Sequence, residues 1–312
     1  MKKFDIHCHV TAFPEYCPPR PEDMVQLGDH VKNRYLSLEQ QIEMHDSLDV
    51  AMGVLLCGGS PERIWEIVQN EEAKSLADQR PDRFVWFFNI DPRQGDFNSR
   101  TDFGPIFSHY KSLGARGLGE ISATLPIDGP LYDNYWRQAT EFELPALLHM
   151  SPWLKEQYGV YDAMGLPGLD RMLSKHKDLK IIGHSMAFWS EMSADLKFEQ
   201  KNGYPNSKIT EEGAVPKLMR KHGNLYCDLS AGSGMNALTR DPEYAARFIE
   251  EFSDRIMYGI DASSVLCDHL YEFDAFMTNM VETGMVSREN YAKIMYKNAA
   301  KLLHVDESIF ED

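Results

Sequence analysis

Phe4-Asp5-Ile6-His7-Cys8-His9-Val10 is the stretch from which the rest of this 312-residue chain can be read. Its apolar, β-favouring start reads as a strand that two histidines close. In an extended chain residues i and i+2 share a face, so His7 and His9 are expected on one side and Cys8 on the other, toward any covering helices. Two imidazoles on one face can share a metal ion, although such a pair taken alone is more often a core pair or a surface accident.

Working outward, short apolar runs recur at 4–7, 50–56, 84–90, 115–121, 146–150, 180–184, 225–230 and 256–261, which makes eight. The segments between them carry helical patterning, as in Leu38, Ile42 and Leu48 before the second run and Ile64, Ile67 and Val68 after it. Strands alternating with helices imply a parallel sheet, and eight such units close naturally into a (β/α)8 TIM barrel, an α/β fold, with an open doubly wound sheet as the alternative. With no linker or repeat, residues 1–312 are expected to form one domain. The helix expected over about 287–303 is assigned to the barrel exterior. Long loops at 10–37, 151–168 and 185–215 are expected to shape a pocket or lid.

The other run ends are polar. Glu120 closes Gly-Leu-Gly-Glu, His149 closes Pro-Ala-Leu-Leu-His, His184 closes Ile-Ile-Gly-His, and Asp261 closes Met-Tyr-Gly-Ile-Asp. A barrel brings such strand ends to one mouth, so five separate elements are expected to deliver imidazoles and carboxylates to one place.

In this ordered combination, from FDIHCH through LLHMSP, IIGHSMAFW and YGIDAS to KIMYKNAAKLL, the chain resembles the amidohydrolase-related family that contains the decarboxylases of aminocarboxymuconate semialdehyde and resorcylate. The resemblance implies that His7, His9, His149 and Asp261 are metal ligands and that His184 is the catalytic histidine of the sixth strand. Glu120 is similar to the bridging ligand of TatD-like hydrolases, which permits a second ion; its other reading is a brace for a neighbouring loop. Zinc suits three nitrogens and a carboxylate oxygen, with Mn2+ or Fe2+ as alternatives and one or two ions in all. A hydrolase would use the metal to lower the pKa of its water, with Asp261 taking the proton and His184 bonding the carbonyl oxygen. A decarboxylase, a carbon–carbon lyase, would use the same pair to protonate the carbon that loses carbon dioxide. Hydrolysis of a small carboxylated or cyclic molecule is the leading expectation, decarboxylation the second, and a barrel that binds metal or ligand without turnover the third.

Composition narrows the partners. With 32 basic against 48 acidic side chains, net −16, the chain is poorly suited to nucleic acid, which also speaks against a TatD-like nuclease. No apolar run approaches a membrane span or a signal core, and the expected location is cytoplasmic. Five cysteines without a CxxC are expected to be free thiols. Arg20, Arg93, Lys155 and Arg240 are candidates to hold a substrate carboxylate, and Trp153, Phe188 and Trp189 are either a pocket wall or packing. Arg116 is expected inside the barrel, paired with Asp5 or Asp228. The histidines at 30, 45, 109, 176, 222, 269 and 304 are expected outside the site. The sequence leaves the oligomeric state open, and a homodimer, the commonest soluble oligomer, is the candidate.

Overall fold

In the computed structural model the described residues form eight barrel strands: β1 Lys3–Cys8, β2 Val50–Leu55, β3 Phe84–Trp86, β4 Leu118–Ile121, β5 Ala146–Ser151, β6 Ile181–His184, β7 Leu225–Asp228 and β8 Ile256–Met257. The structure describes residues 1–14, 36–63, 68–95, 97–155, 157–262 and 268–311, without the side chains of the residues at 268 and 269. Cys17, Arg20, His30, Ile64, Ile67 and Cys267, the side chain of His269 and most of the loop at 10–37 therefore lie outside the described residues.

Strands β1 to β3 form one parallel ladder and β4 to β8 another. Backbone bonds join the two. Phe88 pairs with Leu118, and Gly119 N donates to Phe88 O at 2.9 Å. On the far side Ile6 N donates to Tyr258 O at 3.2 Å and Asp261 N to His7 O at 2.8 Å. The sheet returns to its first strand, so the fold is a closed (β/α)8 barrel and not an open doubly wound sheet. A further two-residue strand, Val160–Tyr161, lies parallel beside Met150–Ser151 at the end of β5, off the barrel ladder.

A helix follows each strand: α1 Leu38–Ser47, α2 Asn70–Gln79, α3 Gly104–Ser112, α4 Pro130–Glu141, α5 Pro167–Lys175, α6 Ala214–Lys221, α7 Pro242–Phe252 and α8 Asp268–Glu282. Their starts are written locally. Ser37 and Gln40 form a reciprocal capping box on α1, Asp241 accepts from Tyr244 N on α7, and prolines occupy the first turns of α3, α4, α5 and α7. No helix among the described residues is long and apolar enough to cross a membrane.

Strand residues divide by parity into two buried clusters. Phe4, Ile6, Val54, Phe87, Leu147 and Ile182 fill the barrel, while Cys8, Leu55, Trp86, Leu148 and Ile181 face the helices. Register shifts interrupt this alternation between Asp5 and Cys8 in β1 and between Leu118 and Ile121 in β4. The second shift overturns the expectation for Arg116. Gly117 and Gly119 both face inward against the Phe87 ring, so Arg116 points out and is exposed. Its expected partners are engaged elsewhere, Asp5 with His45 and Asp228 with His7 and His184.

The expected C-terminal helix is present as Arg288–Ala292, a π turn at Lys293–Lys297, and Asn298–Leu303. It differs in where it packs. Tyr296, Ala299, Leu303 and the following Phe310 join the interior cluster with Phe4. The helix therefore stoppers the N-terminal end of the barrel, opposite the polar strand ends.

Candidate active site

His7 and His9 bring their Nε2 atoms to 3.0 Å of each other at the end of β1, because the register shift turns His7 inward directly after the inward Ile6. Asp261, just beyond β8, places Oδ1 3.5 Å from His7 Nε2 and 3.6 Å from His9 Nε2, and Oδ2 3.5 Å from His184 Nε2. Its backbone is left-handed, φ 53°, a conformation unusual for aspartate and held by the Asp261 N bond to His7 O. His149 and His184 are register partners on β5 and β6, with ring centroids 5.5 Å apart.

Behind the imidazoles stands Asp228, the last residue of β7. Its Oδ2 accepts from His7 Nδ1 at 2.7 Å, lies 3.1 Å from His184 Nδ1, and accepts from Ser230 Oγ at 2.6 Å. With Nδ1 of His7 committed to Asp228, Nε2 keeps its lone pair for the cluster. Gly259 makes room for this carboxylate, since a Cβ there would lie 2.4 Å from Asp228 Oδ1.

Glu120 is bonded on both oxygens. Oε1 lies 2.7 Å from His149 Nδ1 and Oε2 takes Arg63 Nη1 at 2.5 Å, with His9 Nε2 3.4 Å from Oε2. The Arg63 guanidinium also lies over the Tyr158 ring, 4.6 Å from its centroid, and Tyr158 packs against His149 at 4.6 Å.

Burial opposes charge throughout the cluster, and its neighbours decide the balance. At His184 burial is outweighed by Asp228 and Asp261, which push its pKa up to about 10. His7 is raised as well, Asp261 and Asp228 prevailing over burial and over repulsion from His184. Although buried, Glu120 is held well below the usual carboxylate range by Arg63 and then His149. His149 is lowered, burial exceeding the pull of Glu120. The arrangement pairs a protonated imidazole with an ionised Asp261 across one mouth.

All five strand-end residues expected here, together with His184, are thus gathered at one end of the barrel. Asp228, Ser230 and Arg63 contact this cluster, and the sequence reading did not place them there. Asp228 carried the same signal as the others, a polar residue closing an apolar run; Arg63, in the turn Pro61–Arg63, carried none. Of the remaining candidates, Phe188 and Trp189 are buried packing, Trp189 donating Nε1 to Asp228 O at 2.8 Å. Trp153 is half-buried against Phe198, 6.1 Å between centroids. Arg93 is tied to Asp91 and Glu62, Arg240 donates to Ser193, and Lys155 is exposed. His176 and His222 pair with Asp133 and Asp170 away from the mouth.

The donor set fits a divalent cation. Ligand atoms of His7, His9 and Asp261 lie within 4.8 Å of one another, as do those of His7, Glu120 and His184. His149 enters neither group. Its Nδ1 faces Glu120, which leaves Nε2 as the lone-pair nitrogen, the same division of labour that Asp228 imposes on His7.

A family model described as amidohydrolase matches residues 4–305. Among solved structures, one described as a probable 2-pyrone-4,6-dicarboxylic acid hydrolase, from Acinetobacter baumannii, is similar with TM-score 0.58 at 13% identity, over 97% of this chain and 100% of that one. A dihydroxybenzoic acid decarboxylase from a Polaromonas species, holding manganese and the inhibitor 2-nitroresorcinol, gives 0.60 at 16% over 97% of each chain. A TIM-barrel protein from Bordetella bronchiseptica gives 0.64 at 16% over 97% and 99%. No curated protein matches the sequence. At such identities the structural likeness establishes the fold, and the family match extends over nearly the whole chain.

Proposed function

This chain belongs to the amidohydrolase family and is an enzyme of that superfamily, and from this premise we propose that it hydrolyses a small, cyclic, carboxylated molecule at a single divalent cation held by His7, His9, His149 and Asp261. The observation that carries the proposal is the meeting of His7 Nε2, His9 Nε2 and Asp261 Oδ1 in one buried cluster, with His7 oriented by Asp228. Zinc is the ion proposed, with Mn2+ or Fe2+ as alternatives. One ion is favoured over two because the Arg63 guanidinium already neutralises Glu120, the carboxylate a second ion would need. Glu120 then serves to orient His149. The contributing strands run from residue 3 to residue 257, which supports reading residues 1–312 as one domain.

When bound, the cation supplies Lewis acidity toward water and a carbonyl oxygen. Asp261, ionised and within reach of the imidazoles, accepts the proton of the attacking water. His184, held as a donor by Asp228 and Ser230, bonds the oxygen on which charge develops and returns a proton to the leaving group. Aromatic residues at the rim, Trp153, Tyr158 and Phe198, suit a flat ring. Two similar structures bear names that share a cyclic carboxylated substrate, a pyrone dicarboxylic acid and a dihydroxybenzoic acid.

A second reading, decarboxylation, rests on the raised pKa of His184 beside Asp261, a pair able to protonate a carbon. Incubation of the metal-loaded enzyme with pyrone and lactone carboxylates and with hydroxybenzoates in 18O-labelled water separates the two. Hydrolysis places one labelled oxygen in the product, decarboxylation releases carbon dioxide and adds a solvent proton to the ring, and Asp261→Asn abolishes either. Turnover that persists in Asp261→Asn would contradict the site.

A further inference from the structure

On the other face of β1 from His7 and His9, Cys8 points toward α1 and meets a second polar cluster. Asp5, Cys8, Gln41 and His45 are all buried there. Asp5 Oδ2 lies 2.9 Å from Cys8 Sγ and 3.0 Å from His45 Nε2. Cys8 Sγ is 3.7 Å from the same nitrogen, and the Gln41 amide is 2.8 Å from it. The ligand atoms of Asp5, Cys8 and His45 fall within 4.8 Å of one another.

Hydrogen bonds alone do not satisfy this arrangement. His45 Nε2 carries at most one hydrogen. If protonated it donates to Asp5, and the Gln41 nitrogen then opposes it donor to donor. Turning the amide sets Oε1 there instead, so that two acceptors compete for one hydrogen. If Nε2 is bare it accepts from Gln41, and its lone pair then faces Asp5 Oδ2. Gln41 Oε1 and His45 Nδ1 are moreover buried without a hydrogen-bond partner, and the ion-pair partner of the Asp5 carboxylate among the described residues is His45 alone. A buried, half-satisfied network of this kind is costly. A cation at its centre is met by a sulfur, a nitrogen and a carboxylate oxygen at once, and by Gln41 Oε1 once the amide is turned.

We propose that Asp5, Cys8, Gln41 and His45 form a structural Zn2+ site, separate from the catalytic centre. Zinc bonds of about 2.3 Å to sulfur and about 2.0 Å to nitrogen or oxygen set ligand atoms roughly 3.3–3.5 Å apart in a tetrahedron. The three separations found here, 2.9, 3.0 and 3.7 Å, bracket that range. Gly53 keeps the space clear, since a Cβ there would stand 2.7 Å from His45 Cε1 and 2.8 Å from Cys8 Sγ. Coordination releases the Cys8 thiol proton to solvent, so that thiolate and carboxylate together balance the ion. The other oxygen of Asp5 accepts from His7 N at 3.0 Å and Ile260 N at 2.8 Å. The ion thereby fastens α1 to the strand ends that carry His7 and Asp261.

Cobalt tests the assignment, because the catalytic cluster contains no sulfur. The full chain is produced in zinc-free medium supplemented with Co2+ and, in parallel, refolded from denaturant with Co2+. A thiolate-to-cobalt charge-transfer band is expected in wild type and in Asp261→Asn. Cys8→Ser loses the band and one equivalent of metal, and His45→Gln weakens or loses the band. Absence of the band from wild type after both loading routes, or equal metal content in wild type and Cys8→Ser, overturns the site. Asp261→Asn reports on the catalytic ion independently, by loss of one equivalent with the band retained.

Discussion

Asp228 shows how much one side chain can determine. Fully buried, it accepts from His7 and Ser230 with a single oxygen that also lies 3.1 Å from His184 Nδ1, and so fixes both which nitrogen of His7 faces the cluster and the charge of His184. Replacing it by asparagine removes the carboxylate that bonds His184. In the chelator-treated protein His184 is predicted to titrate near 10, and in Asp228→Asn clearly lower. The sign follows from the cause: burial alone lowers an imidazole pKa, and the lost carboxylate is one of the two, with Asp261, that oppose it. NMR titration of the ring protons checks this, and an unchanged value contradicts the assignment. Metal affinity in the same variant is expected to fall about 10–100-fold. At this scale the sequence was informative wherever a polar residue ended an apolar run, as at His149, His184 and Asp261. It was silent for Arg63, which reaches Glu120 from a turn that no strand pattern marks.

Strands and helices explain most of what the sequence pattern left out. Alternation correctly predicted eight strands and the outward turn of Cys8, and it failed where a register shift adds a residue. In β1 the shift sends Asp5 toward α1 rather than into the barrel; in β4 it leaves Arg116 exposed. Such shifts re-aim side chains next to functional sites, and a period-two reading does not contain them. The C-terminal helix was legible in extent and not in position, since an amphipathic face does not say which surface it covers. Phe310, just beyond it, is stacked with Phe4 and Tyr296, 5.2 Å from each. Phe310→Ala is therefore expected to cost about 3–5 kcal/mol, whereas Arg116→Ala is expected to stay within about 0.5 kcal/mol. Denaturant unfolding of both variants decides; a large loss for Arg116→Ala would place that side chain inside after all.

For the whole molecule, charge gives a further expectation. Asp170 is held below the ordinary carboxylate pKa by Lys221 and then His222, and Glu212 by Arg220. Carboxyls depressed on folding contribute stability above their unfolded pKa of about 4, and lose it as pH falls through the depressed values. Asp162 acts in the opposite sense, because burial raises it. The depressed groups outnumber it, so Tm is predicted to fall as pH drops from about 5 toward 3; a flat profile would contradict that balance. The net charge of −16 disfavours long-range attraction of polyanions.

The most direct test of the account is the metal content of wild type and Asp261→Asn after dialysis without added metal. The variant is predicted to hold one equivalent less and to be inactive, because Asp261 Oδ1 completes the proposed cation site with His7 and His9. Equal metal content in the two proteins would contradict the catalytic centre, whatever the fold.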